Sequence, residues 1–193
     1  MDLRKRHTPV PVETTKATSP EAGLERVSLL GETSRELADW EFRRHHPDPT
    51  IFLLMRFEDS PVMRAISEGV RAGGARHGRK VIRADDHDYT GEIWANVALC
   101  LRNSDIVIAV LDEIERRDCD ANVMVELGLA LGAGRRCLIL VERHQRELPA
   151  VLRHRLTHTF DAYDVPRSVE AQVDDWLRRN VPRSKSETAP SPG

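Results

Sequence analysis

Cysteine is scarce: Cys100, Cys119 and Cys137 are odd in number and lack C-x-x-C spacing. They fall in an expected helix, loop and buried strand, a pattern that excludes a disulfide framework and suits packing residues in a reducing compartment. A surplus of one charge is missing too. Lys and Arg number 29 against 31 Asp and Glu, a formal net charge of −2, so bulk electrostatics supports neither duplex nucleic acid nor an anionic membrane as partner. No apolar run approaches the length of a bilayer span. Met1 to His7 leads into Pro, Thr and Glu rather than an apolar core, so no secretory leader is expected and the expected location is cytoplasmic. Neither G-x-G-x-x-G nor G-x-x-x-x-G-K-[ST] occurs, which excludes dinucleotide-fingerprint and P-loop functions. His154 and His158 are four apart, but a strand is expected to begin between them, and His45-His46 lies beside two prolines. No metal site and no cofactor is expected.

What is present is alternation. Residues 1–18 are polar and Pro/Thr-rich and read as a flexible arm. Residues 19–48 read as a helical extension: Ser19-Pro20-Glu21 is a helix start, Thr33-Ser34-Arg35-Glu36 has capping-box spacing, and Leu24, Val27, Leu30, Leu37 and Trp40 form a thin apolar stripe. Removing residues 1–48 is therefore expected to leave the core folded and to alter self-association into a homo-oligomer. Residues 49–181 carry the main domain. Ile51 to Met55 is a continuous apolar run, as a strand covered on both faces requires, and Ser60-Pro61 starts a helix with Val62, Met63, Ile66 and Val70 inward, closed by Gly73-Gly74. Lys80 to Arg83 is a second strand. A helix from about Gly91 should bury Ile93, Val97, Cys100 and Leu101. Asp105 to Asp112 and Arg136 to Val141 are further strands, and a helix near 147–154 precedes a last strand around 157–160. A closing helix from about Arg167 to Arg179 buries Val169, Val173 and Leu177, and residues 182–193 form a Ser/Pro-rich disordered tail. Five strands alternating with helices specify an α/β fold: one flavodoxin-like (Rossmann-like) doubly wound parallel sheet, in the order 2-1-3-4-5. A receiver domain on that topology is excluded, since it needs a Lys after the last strand and none occurs between Lys80 and Lys185.

In such sheets the ligand crevice lies at the carboxyl ends of the strands. The segment Ala121 to Gly132 reads as a loop entering a helix with Glu126 in its first turn, flanking the apolar face of Val123, Leu127, Ala130 and Leu131. A helix N-terminus favours an ionised carboxylate, fit to serve as nucleophile or as counter-charge to a cationic transition state; Glu is equally favoured in any first turn. Asn122 either holds a ribose hydroxyl or orients the Glu126 carboxylate, or else caps the helix. Asp85, Asp86 and Asp112 end strands on the ligand edge and are candidates for ribose hydroxyls. Arg56 could contact phosphate or pair with Glu58 or Asp59. Tyr89 and Trp94 are the aromatics able to stack a base, Trp94 being equally placed for burial. Gly132 and Gly134 sit where they terminate a helix.

The stretches Arg83-Ala84-Asp85-Asp86, Glu92 to Val97, Ser104 to Ala109 and Asn122-Val123-x-x-Glu126-Leu127-Gly128-x-Ala130 together resemble the nucleoside 2-deoxyribosyltransferase-like and TIR-like superfamily over about residues 50–163. That resemblance implies a flavodoxin-like sheet, cleavage of N-glycosidic bonds in nucleosides, nucleotides or NAD, and a catalytic glutamate at Glu126. Its TIR-like side implies a nucleotide-consuming bacterial defence effector. Where family members often read Asn-Pro-Asn-Val-x-Tyr-Glu, this chain has Asp120-Ala121-Asn122-Val123-Met124-Val125-Glu126, and the loop from Asp112 to Asp120 is more charged than the usual turn. The leading expectation is hydrolysis by a nucleosidase or NADase, with a non-catalytic nucleotide-sensing or assembly module and a deoxyribosyltransferase as the alternatives.

Overall fold

The computed structural model describes residues 32–181 apart from 116, 117, 119, 146, 147, 153 and 154. The expected arm, the first expected helix with Leu24, Val27 and Leu30, the tail, Cys119 and His154 lie outside the described residues.

The apolar run at 50–54 becomes β1 (Thr50–Leu54), buried at every residue because helices cover both faces of the sheet. Ser60 then caps α2 (Pro61–Ala75), its Oγ accepting from the Met63 N–H at 3.1 Å with Pro61 in the first turn. β2 (Lys80–Ile82), α3 (Ile93–Asn103), β3 (Ile106–Leu111), α4 (Ala121–Gly132) and β4 (Cys137–Glu142) follow, then β5 (His158–Phe160) and α5 (Val165–Asn180). The strands form one parallel five-stranded sheet in the order β2-β1-β3-β4-β5, with Leu53 against Ile108 and Leu111 against Val141 in register. This is the expected doubly wound α/β, Rossmann-like fold. α4 ends at Gly132, and Gly134, at φ +68°, turns the chain back toward β4.

Two apolar layers flank the sheet. One holds Met63, Ile66 and Val70 of α2 with Val169, Val173 and Leu177 of α5; the other holds Val97 and Leu101 of α3 with Val123, Leu127 and Ala130 of α4. A further helix, α1 (Glu32–His45), adds Ala38 and Phe42 to the second layer. Asp39 fixes it to α3, accepting from Arg102 Nη2 at 2.5 Å and from Asn103 Nδ2 at 2.7 Å. The helix expected here is present, but its buried pair, four residues apart, is Ala38 and Phe42. Leu37 and Trp40, expected on the apolar stripe, are 58% and 53% exposed; at about 100° per residue they lie roughly a third and a half of a turn from the line through Ala38 and Phe42.

Three local expectations are corrected. Gly73 and Gly74 do not close α2 but lie in its last turn, which runs on to Ala75: Gly73 is where α5 approaches, a Cβ there standing 2.7 Å from Val173 Cβ, and Gly74 faces Ile51 and Val81 of the sheet. The chain turns at Gly78 instead, with φ +62°. Ile93 is 57% exposed, because Glu92 rather than Gly91 begins α3, accepting from the Ala95 N–H at 2.6 Å and leaving Ile93 on the open first turn. The helix expected near 147–154 is a single 3₁₀ turn, Ala150–Leu152; Pro149 keeps the residue before it out of helical conformation and delays the start.

Candidate functional site

At the carboxyl edge, β1 delivers Arg56, β2 delivers Asp85 and Asp86, β3 delivers Asp112, and α4 brings Glu126 back over the end of β3. The chain reaches α4 through Asp120, whose Oδ1 accepts from the backbone N–H groups of Asn122 at 2.9 Å and Val123 at 3.3 Å. The cap is thus Asp120 and not Asn122, which is exposed in the first turn. Because the helix begins at Ala121, Glu126 is its sixth residue, one turn deeper than the sequence suggested.

That depth decides its chemistry. Glu126 is 7% exposed, on the side of α4 that carries Val123, Leu127 and Ala130 into the core. Burial, and after it the negative charge of Asp120, push its carboxyl up to about 7. Desolvation therefore outweighs the helix-end effect expected to keep it ionised, since that effect fades beyond the first turn. A carboxyl poised near neutrality can attack or accept a proton when ionised and can donate one when not. Glu126 and Asp86 also both act on the buried Cys100 thiol, which burial and these two carboxylates raise to about 12.

Asp112 is 5% exposed and its carboxyl is also raised by burial, a rise opposed by the Ile114 N–H at 3.3 Å and by the Arg56 guanidinium. Arg56, 6% exposed, donates from Nη2 to the Asp118 carbonyl at 2.8 Å, with Nη1 3.8 Å from the Asp118 carboxylate. Of the partners expected for Arg56 besides phosphate, Asp59 pairs with Arg64 instead, and Arg56 reaches inward to fasten the loop that leads to α4. Arg56 and Asp112 thus form a buried pair of opposite charge at the ends of β1 and β3, the topological switch point of this strand order, and Glu126 is a second buried carboxyl on α4, the helix that follows β3.

Asp85 and Asp86 lie on the same edge but are exposed and engaged. Arg83 grips Asp85 with two bonds of 2.8 and 2.6 Å, while Asp86 accepts from the Arg83 N–H at 2.9 Å and lies 3.4 Å from Arg71 Nη2. Asp85 walls two pockets, one of about 540 Å³ with Phe57, Arg64, Arg71 and Arg83, and one of about 230 Å³ with His87, Asp88, Glu92 and Asn96. Tyr89 is half-buried and tied down: its hydroxyl is 2.8 Å from His46 Nε2, and its ring packs against Phe42 and His87. These contacts fix it as part of the joint between α1 and the loop after β2. Trp94 is 37% exposed, so the burial considered for it is not what the fold provides.

Four contributors escaped the sequence reading. Asn96, 2% exposed, fastens the loop carrying the aspartates by donating to the Ala84 and His87 carbonyls at 2.6 and 2.8 Å and accepting from the Tyr89 N–H at 3.1 Å. Asp120 was visible as a capping type one residue before Ala121. Glu142 ends β4 and His144 lies in the turn just after it, and a charged residue closing an apolar strand was the signal. Among the described residues, no group of three or more His, Cys, Asp or Glu is arranged to hold a metal ion.

No protein-family model matches the chain, and no curated protein matches it. Among solved structures it is similar to the 2-desoxiribosyltransferase from Leishmania mexicana, with a TM-score of 0.50 and 18% sequence identity over 69% of this chain and 99% of that one. At this identity the likeness is one of fold.

Proposed function

We propose that this chain cleaves the N-glycosidic bond of a nucleoside, nucleotide or NAD, with Glu126 as the catalytic carboxylate. The carrying observation is a carboxyl buried on α4, the helix that follows β3, and poised at about 7. As a base departs, positive charge builds on the sugar; a carboxylate in a dry, fixed position stabilises that charge or bonds to the anomeric carbon. Arg56 and Asp112 would set the local charge, and Asp85 and Asp86 would face the sugar hydroxyls from the β2 end. The fold neighbour's name, a desoxiribosyltransferase, supports a nucleoside as the small-molecule partner. Water as acceptor makes the chain a nucleosidase or NADase, a second base makes it a transferase, and a defence role belongs to the hydrolytic version.

A nucleotide-sensing module is the second reading. It is favoured by the bonds that already occupy Asp85, Asp86 and Arg56, which leave fewer groups free for chemistry. Incubating the purified chain with nucleosides, nucleotides and NAD, with chromatography for released base, separates the two. Release that falls by at least about a hundredfold in Glu126→Gln supports the enzyme. A thermal shift without release, or release that survives the substitution within a few-fold, removes it.

A further inference from the structure

Glu142 and His144 lie apart from the group around Glu126 but share its edge of the sheet. β4 neighbours β3, and Leu111 pairs with Val141, so Asp112 and Glu142 are the next residues along two adjacent strands. Glu142 is 5% exposed, and one neighbour engages both of its oxygens: Oε2 accepts from the His144 backbone N–H at 2.7 Å, and Oε1 lies 3.0 Å from His144 Nδ1. The His144 side chain is itself 63% exposed. Burying a carboxylate is costly, and an exposed imidazole does not need one to be soluble. What the arrangement secures is orientation: a carboxylate on Nδ1 keeps that nitrogen protonated and turns Nε2 outward as the atom that exchanges protons. Tyr163, 92% exposed, stands edge-on to the imidazole with ring centroids 6.2 Å apart, an open aromatic wall beside it.

We infer that His144, held by Glu142, hands a proton to the departing base; this rests on the reading of the chain as an N-glycosidase. As the C1′–N bond breaks, its electron pair stays on the base nitrogen and the proton on His144 Nε2 moves to the base. The Glu126 carboxylate or a water oxygen forms the new bond to C1′, and the proton that water releases returns to the imidazole. The inference narrows the substrate. A neutral purine or pyrimidine leaves as an anion unless it is protonated, whereas nicotinamide leaves NAD as a neutral molecule and needs no acid. An oriented imidazole therefore points to neutral nucleosides or nucleotides rather than to NAD.

The test measures base release from guanosine and from 7-methylguanosine, in ribo and 2′-deoxyribo forms. The methylated base already carries the positive charge an acid would supply. His144→Gln is expected to slow release of the neutral base by about a hundredfold and to leave release of the methylated base within about threefold. Glu142→Gln, which keeps the imidazole but loosens it, should show the same selectivity with a smaller loss. Equal slowing on both bases marks a structural role and overturns the inference, as does no slowing at all. A wild-type chain that releases base only from NAD overturns this inference and leaves the glycosidase reading standing, whereas one that releases no base from guanosine, 7-methylguanosine or the panel of nucleosides, nucleotides and NAD removes the glycosidase reading itself.

Discussion

Asp120 and Glu126 are coupled along the first turns of α4: the carboxylate that caps the helix at Asn122 and Val123 also opposes the ionisation of Glu126. Asp120→Asn separates these roles, because Asn caps a helix about as well as Asp but carries no charge. The variant is expected to keep its stability within about 1 kcal/mol, while the Glu126 titration moves down from about 7 but stays above 4.5, since burial is the larger cause. A carboxyl-carbon NMR titration reads the shift directly. An unmoved midpoint would show that the two carboxylates do not interact.

Glu126→Gln should alter stability in a pH-dependent way. The Glu126 carboxyl is raised from 4.5 to about 7 on folding, so between those values the folded chain binds more protons than the unfolded one. Wild-type stability then falls as pH rises through that window, by up to about 3 kcal/mol for a shift of this size, and is level above it. The glutamine variant lacks this contribution. Its stability relative to wild type should improve between pH 4.5 and about 7 and then level off. Urea melts of both proteins at several pH values give the difference curve, and a flat curve contradicts the assignment.

The close approach of α2 to α5 predicts opposite effects for two glycines that share the helical state. Gly73→Ala places a Cβ 2.7 Å from Val173 Cβ and 3.0 Å from the Glu170 carbonyl, and should cost about 1–3 kcal/mol through forced separation of the helices. Gly128→Ala on α4 meets nothing within 4 Å, and should gain about 0.5–1 kcal/mol from reduced backbone freedom in the unfolded chain. Denaturant midpoints of the two variants should move in opposite directions.

The strands and their order were legible because burial on both faces writes unbroken apolar runs such as Ile51 to Leu54 and Ile106 to Leu111, and helices between them force parallel pairing. Ser60-Pro61 announced its helix through chemistry that is purely local. The misreadings arose where a tertiary neighbour decides. Gly73 reads as a terminator until Val173 is seen beside it. Glu126 reads as a helix-end charge until Asp120 moves the helix start back and places the carboxyl among core residues. The pairing of Arg56 with Asp118 spans 62 residues, which no local pattern encodes. Glu142 and His144 went unnoticed because a short E-x-H sequence carries no signal until the strand end fixes both side chains on one edge.

The helix before the first strand gives the last prediction, and it reverses the one the sequence suggested. Phe42 is 1% exposed within the layer that holds α3 and α4, and Asp39 spends its carboxylate on Arg102 and Asn103. Phe42→Ala alone should cost about 3–5 kcal/mol, by lost burial and the cavity left behind. Deleting residues 1–48 removes that contact together with the Asp39 bonds, leaving an apolar strip of α3 uncovered and Arg102 without its carboxylate. Against a domain stability of about 5–15 kcal/mol, the sum should abolish cooperative unfolding rather than merely change self-association. Circular dichroism through a urea titration, run with light scattering on the same samples, decides it. A truncated chain that still unfolds in one sharp transition at a similar midpoint would show that α1 rests on the core without supporting it.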